Sequence, residues 1–234
     1  SLPFVVTEQN HEVTDVIQTA LWISKADWDS RETSWDFRFS PLLADYSRKP
    51  TTHRIDHILE TKHWRRRELG SSSLQVGYDA FAAHWEGLVT TLKNVEEQNN
   101  RCFAQLFDLG DYLDSTVPLS HVTILERETK TRSNEQERVV FDKEEIVRQF
   151  VSYGVGCIFG RYSLDKDGLI LANAGDDLSA YLSLIPEPIL RPDESGILPI
   201  TDDNDFADDL PSQWRAFLRA AFVDQDYEEN LGFV

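Results

Sequence analysis

The stretch Tyr78-Asp-Ala-Phe81-Ala-Ala-His-Trp85-Glu-Gly-Leu88-Val-Thr-Thr-Leu92-Lys-Asn-Val95-Glu-Glu-Gln-Asn99-Asn-Arg-Cys102-Phe-Ala-Gln-Leu106 alternates spacings of three and four between its numbered residues. That is a heptad seam, whose period of about 3.5 residues keeps one narrow stripe of an α-helix facing a single partner. The spacing predicts one helix from about Ser73 to Leu109, ending near Gly110. Asn99 is the polar residue of the seam and could set its register. A lone apolar stripe aggregates, so the seam needs a partner: another helix of this chain or another domain. The fold class that follows is mainly α, a helical connector or bundle with one long amphipathic helix and a few short strands.

Working outward, Val13, Ile17, Ala20, Leu21 and Ser24 share a stripe, which predicts a helix over His11–Lys25. Residues 27–37 are rich in aromatics and turn-forming Asp and Ser, and read as an ordered loop. Pro41 opens a short helix. Thr51 or Thr52 caps another running to about Leu69, ended by Gly70.

On the C-terminal side, Val122-Thr-Ile-Leu125 is β-branched and reads as a strand, and Thr129–Arg138 as a polar loop. Asp142-Lys-Glu-Glu145 is a capping box opening a helix from Lys143 to about Phe159. Gly168–Ala172 reads as a short strand, and Asp176 or Asp177 as the start of a helix through Ile185. Residues 186–192 carry three prolines and read as an extended connector. Pro211, with Trp214, Phe217, Leu218 and Phe222, begins a last amphipathic helix. The organisation expected is a helical connector over 1–185, then over 186–234 a Pro-rich linker and the start of a further helical region. The lack of Met, and a final Tyr227–Val234 that stops inside a helical pattern, read as a piece cut at both ends; a processed or trimmed chain is the alternative.

Length allows one or two domains with a real core. No apolar run approaches the ~18 residues of a membrane span, and Ser1-Leu-Pro-Phe4 is no signal peptide. Two cysteines, Cys102 and Cys157, give neither a disulfide framework nor metal-site spacing, so a reducing, cytoplasmic setting is the default. The net charge of −18 argues against a free nucleic-acid-binding module, whose affinity comes from neutralising phosphates. Runs such as Asp202-Asp-Asn-Asp205 read as solvated surface; a face that mimics or repels DNA is the sharper alternative.

Gly154, Gly156 and Gly160 make G-x-G-x-x-x-G, which lacks the spacing and the preceding strand of a dinucleotide fingerprint. They read as small packing positions in a helix. Arg161 and Asp165 could pair with each other or with neighbouring loops. His53 and His57, four apart with His63 further on, read as a solvated helix face rather than a zinc site. Trp64-Arg-Arg-Arg67 is the basic cluster of the chain, and Arg65, Arg66 and Arg67 are the candidate DNA contacts; interdomain salt bridges are the competing role. Glu60-Thr-Lys62 and Glu128-Thr-Lys130 match half of a metal-dependent nuclease motif but have no Asp on a preceding strand. No G-x-S-x-G, C-x-x-C or P-loop is present. Nor is there the Asn-Pro-Pro-Tyr that holds a flipped adenine, which a base-modifying enzyme must enclose. No catalytic, cofactor-binding or metal residue is assigned.

Six stretches carry a resemblance: Lys25-Ala-Asp-Trp-Asp-Ser-Arg-Glu-Thr-Ser-Trp-Asp-Phe37, Ser40-Pro-Leu-Leu43, Val95-Glu-Glu-Gln-Asn-Asn-Arg101, Val151-Ser-Tyr-Gly-Val-Gly-Cys-Ile-Phe-Gly-Arg-Tyr-Ser-Leu-Asp165, Gly168-Leu-Ile-Leu-Ala-Asn173 and Glu228-Glu-Asn-Leu231. Through them the chain resembles, across nearly its whole length, the BREX phage-defence adenine-specific DNA methyltransferase (PglX) family; Ile158 stands where Met is expected. The resemblance implies a parent that uses S-adenosylmethionine to methylate N6 of adenine in a short asymmetric site. It implies a segment between the catalytic core and the target-recognition region, inactive alone. The partners implied are those two regions of the parent, double-stranded DNA through the parent, and other BREX proteins, with no membrane. A stand-alone acidic binding protein, a DNA mimic or a defence-complex adaptor, is the alternative.

Overall fold

The computed structural model describes residues 10–47, 64–132, 138–200 and 209–234. Among them are six helices: α1 (Asn10–Asp29), α2 (Leu74–Leu106), α3 (Lys143–Ile158), α4 (Leu178–Leu184), α5 (Leu210–Ala221) and α6 (Tyr227–Phe233). Two antiparallel pairs accompany them, β1 (Ala44–Asp45) with β2 (Arg65–Arg66) and β3 (Thr129–Arg132) with β4 (Arg138–Phe141). The chain is mainly α, as the heptad spacing predicts. Its described residues fall into two compact units, one holding 10–28 and 83–142, the other 29–47, 64–82 and 143–234.

In the first unit, Val16, Trp22, Ile23 and Ala26 of α1 and Trp85, Val89 and Leu92 of α2 are buried. The segment after α2 is held by backbone partners: Glu97 accepts from Val117 N at 3.2 Å and Asp27 from Leu125 N at 2.9 Å. β3 and β4 register Thr129 against Phe141 and Arg132 against Arg138, and Lys130 pairs with Asp142 at 2.6 Å.

The second unit is built on α3, whose first turn carries Glu144 and Glu145 where the helix dipole favours acid. Phe150 of α3 packs on Trp214, Phe217 and Phe222, with ring centroids 5.6–5.9 Å apart. Tyr153 stacks on Tyr162 at 5.4 Å, and Phe37 meets Tyr162 edge-on at 5.3 Å. Gly154 allows the approach of α5, since a Cβ there would lie 2.3 Å from the Trp214 ring; at Gly156 it would lie 2.6 Å from Tyr162. Gly160 ends the helix at φ +76°, against Leu171 and Pro192. Asp177 caps α4 through Ala180 N, and Asp209 caps α5 through Ser212 N. The N-terminus of α2 receives Asn230, whose side-chain oxygen accepts from Leu74 N at 2.7 Å.

Several expectations are corrected. The helix expected to reach Leu69 does not: Arg65 and Arg66 lie in β2, and Arg67 N donates to Leu43 O at 2.7 Å. Its expected start at Thr51 or Thr52 lies outside the described residues. Val122–Leu125 forms no strand, because Leu125 adopts φ +50° and its carbonyl closes a turn with Glu128 N. The polar loop begins as a strand instead, its ladder resting on backbone groups that polar residues also supply. Gly168–Ala172 is no strand either; Ile170 N and Leu171 N bond back to Arg161 O and Gly160 O, and Ile170 joins Tyr181 and Ile185 in a small core. Burial along α2 runs Leu74, Phe81, Trp85, Val89 and Leu92 while Leu88 is half-buried, because a straight helix turns every 3.6 residues and drifts off a 3.5-residue seam.

Candidate nucleic-acid interface

The Trp64–Arg67 cluster is fixed by pairing rather than by helix. Ala44 faces Arg66 and Asp45 faces Arg65. The three arginines differ in what surrounds them. The Arg65 side chain is exposed and has no hydrogen bond or ion pair among the described residues. Arg66 is half-buried, donates from Nη1 to Ser163 O at 3.0 Å and lies 3.4 Å from Asp167 Oδ1. Arg67 turns inward, to Ala44 O at 3.2 Å and to Ser72 Oγ. Burial lowers its pKa, with Asp45 and Tyr46 opposing.

A shallow groove of about 530 Å³ is lined by Arg38, Arg65, Arg66, Asp165, Lys166 and Asp167. Arg38 donates to Trp64 O at 2.8 Å and ion-pairs with Asp167 Oδ2, so Asp167 sits between two guanidiniums. Asp165 accepts from Ile189 N at 3.1 Å and from Ser163 Oγ at 3.4 Å; it meets a neighbouring loop and not Arg161, whose guanidinium lies over the Tyr162 ring at 5.4 Å. Arg38 and Lys166 carried no signal in the sequence. They lie 27 positions before and 101 positions after Arg65, and only the fold brings them to one groove.

The other candidates give less. The close approach of Trp214, Phe217 and Tyr162 to Gly154 and Gly156 leaves no cradle for a nucleotide, so these glycines do not fit S-adenosylmethionine. Burial pushes the Cys157 thiol up to about 12, which makes it a packing group and not a nucleophile. Glu128 is buried, and Lys130 is taken by Asp142. Among the described residues no three His, Cys, Asp or Glu side chains gather as a metal site; His53, His57, His63, Glu60 and Lys62 lie outside them. No described helix is long and apolar enough to cross a membrane.

No family model matches the chain. It is similar to the adenine-specific methyltransferase BrxX of Escherichia coli O9:H4 (strain HS), 27% identical over 237 residues that cover 99% of this chain and 17% of that protein. It is likewise similar to the adenine-specific methyltransferase PglX of Lacticaseibacillus casei (strain Zhang), 27% identical over 229 residues, covering 97% of this chain and 16% of that protein. The chain thus spans about a sixth of the length of the curated relatives it matches. Along almost all of its length, the chain is similar to part of the adenine-specific methyltransferases BrxX and PglX.

Proposed function

We propose that this chain is a helical segment of a BREX-type N6-adenine DNA methyltransferase that positions the target-recognition region relative to the catalytic core. One observation carries the reading: similarity to much longer adenine-specific methyltransferases covers 97–99% of this chain and only 16–17% of theirs. A positioning role asks for ordered packing rather than reactive groups. The aromatic core of the second unit supplies the first, and Cys157 and Glu128 are buried away from chemistry. In this reading the parent works in the cytoplasm and binds S-adenosylmethionine outside this segment. Residues 186–234 lead on towards the next region, and DNA and other BREX proteins meet the parent as a whole.

Gly156→Leu in the parent methyltransferase tests this. Overpacking against Tyr162 should loosen the segment by about 1–3 kcal/mol. S-adenosylmethionine affinity should stay within about twofold while site-specific methylation falls at least about tenfold, ~1.4 kcal/mol of transition-state stabilisation. Cofactor affinity lost in parallel would place the segment in the cofactor domain. Unchanged methylation would remove the positioning role.

A further inference from the structure

We infer that the groove lined by Arg65 and Lys166 is a seat for the phosphodiester backbone of double-stranded DNA, with Arg38 and Arg66 as the fixed wall that keeps it cationic. The inference rests on the reading of the chain as part of a DNA methyltransferase, and narrows its DNA contact from the run Arg65–Arg67 to a pair far apart in sequence.

The chain carries 41 acidic residues against 23 Lys and Arg. On such a surface a cation has carboxylates in surplus, and a pair of cations without one calls for an explanation. Within the groove both carboxylates are held by other groups. Asp167 gives Oδ2 to Arg38 and Oδ1 to Arg66. Asp165 gives Oδ2 to the Ile189 amide and the Ser163 hydroxyl. Arg65 and Lys166 are both exposed and have no partner among the described residues, yet they line one groove. Four cations and two carboxylates line the groove, and Asp45 is the cross-strand neighbour of Arg65.

The framework holds this arrangement in place. Arg65 is set by the β1–β2 pairing, and its neighbour Arg67 is anchored to Ala44 O. Lys166 lies between Asp165 and Asp167, both of which are tied down, and Gly168 N donates to Arg38 O at 2.8 Å. Two like charges that line one groove repel, and an anion between them relieves that repulsion. A phosphodiester carries one charge per phosphate at a regular repeat, so adjacent phosphates can meet both cations. The net acidic charge of the chain disfavours approach of a duplex to its carboxylate-rich surface, so a cationic groove favours contact there.

The test is anisotropy of the 234-residue chain with a labelled duplex of about 20 base pairs, between about 20 and 150 mM salt. The unsubstituted chain should bind weakly, with an affinity that falls steeply with salt. Arg65→Ala and Lys166→Ala should each reduce the slope of log affinity against log salt by about 0.9, and the double variant by about 1.8. Arg148→Ala, an exposed arginine on α3 paired with Glu144 and Glu145, should leave the slope unchanged. Absence of binding at the lowest salt, or a double variant with the original slope, overturns the proposal. So does competition by polyglutamate as effective as unlabelled duplex, which would assign the groove to an acidic peptide. Binding of inorganic phosphate seen by phosphorus NMR, lost in the double variant and without duplex binding, would make it a free-anion site and also overturn the proposal. None of these outcomes depends on methylation by the parent, so the positioning role stands or falls separately.

Discussion

At Gly154 two opposing magnitudes meet. Alanine is the better helix former by about 1 kcal/mol. Its Cβ, however, would lie 2.3 Å from Trp214 and 2.8 Å from Phe217, both stiff rings packed on Phe150. Overpacking of this kind costs about 1–3 kcal/mol, so Gly154→Ala is expected to lower the denaturation midpoint. A raised midpoint would show that α5 yields. His84 sets a different balance. Burial lowers its pKa from 6.5 to about 4. Below pH 6.5 the unfolded chain takes up a proton that the folded chain refuses until about pH 4, so stability falls as pH drops through that window. Melting curves of His84→Gln should fall less steeply between those pH values than those of the unsubstituted chain. Equal slopes would mean that His84 titrates normally in the fold.

Among the elements, α2 carries two expectations of opposite sign. Leu92 is 3% exposed, so Leu92→Asp buries a charge and should cost about 3 kcal/mol or more by denaturant titration. A near-zero change would mean that this face is wet. The Asn99 side-chain oxygen is buried with no hydrogen-bond partner among the described residues, a state that costs about 1–3 kcal/mol. Asn99→Leu should therefore stabilise the chain by about 1 kcal/mol, and a loss of stability would mean that the amide serves a register. The helices could be read in advance because their signals are local: the spacing from Tyr78 to Leu106, Glu144 and Glu145 behind Asp142, Pro211 in the first turn. The strand pairs could not. Ala44 meets Arg66 across 22 positions, and Thr129-Lys-Thr-Arg132 offers no apolar alternation. The groove was half legible for the same reason. A run of arginines shows in the sequence, whereas which of them is free depends on Asp167, some hundred positions away.

Among the described residues, an aromatic core that buries Cys157 lies beside a small groove lined by four cations. The chain by itself is expected neither to bind S-adenosylmethionine nor to transfer methyl groups. Calorimetry with the cofactor and a tritiated methyl-transfer assay on unmodified DNA check this, and a micromolar heat signal or methyl incorporation would place a catalytic site here. The interleaving of the two units carries a further consequence, one of timing. The second unit is assembled from 29–47, 64–82 and 143–234. A ribosome adds about 5–20 residues each second, so Phe37 waits on the order of ten seconds for Tyr153 and Tyr162 to emerge. Leu74 waits longer still for Asn230, 156 positions on. Over that interval Phe37, Phe39, Leu42 and Leu43 are apolar groups without their final neighbours, which makes the nascent chain a natural client for a holdase.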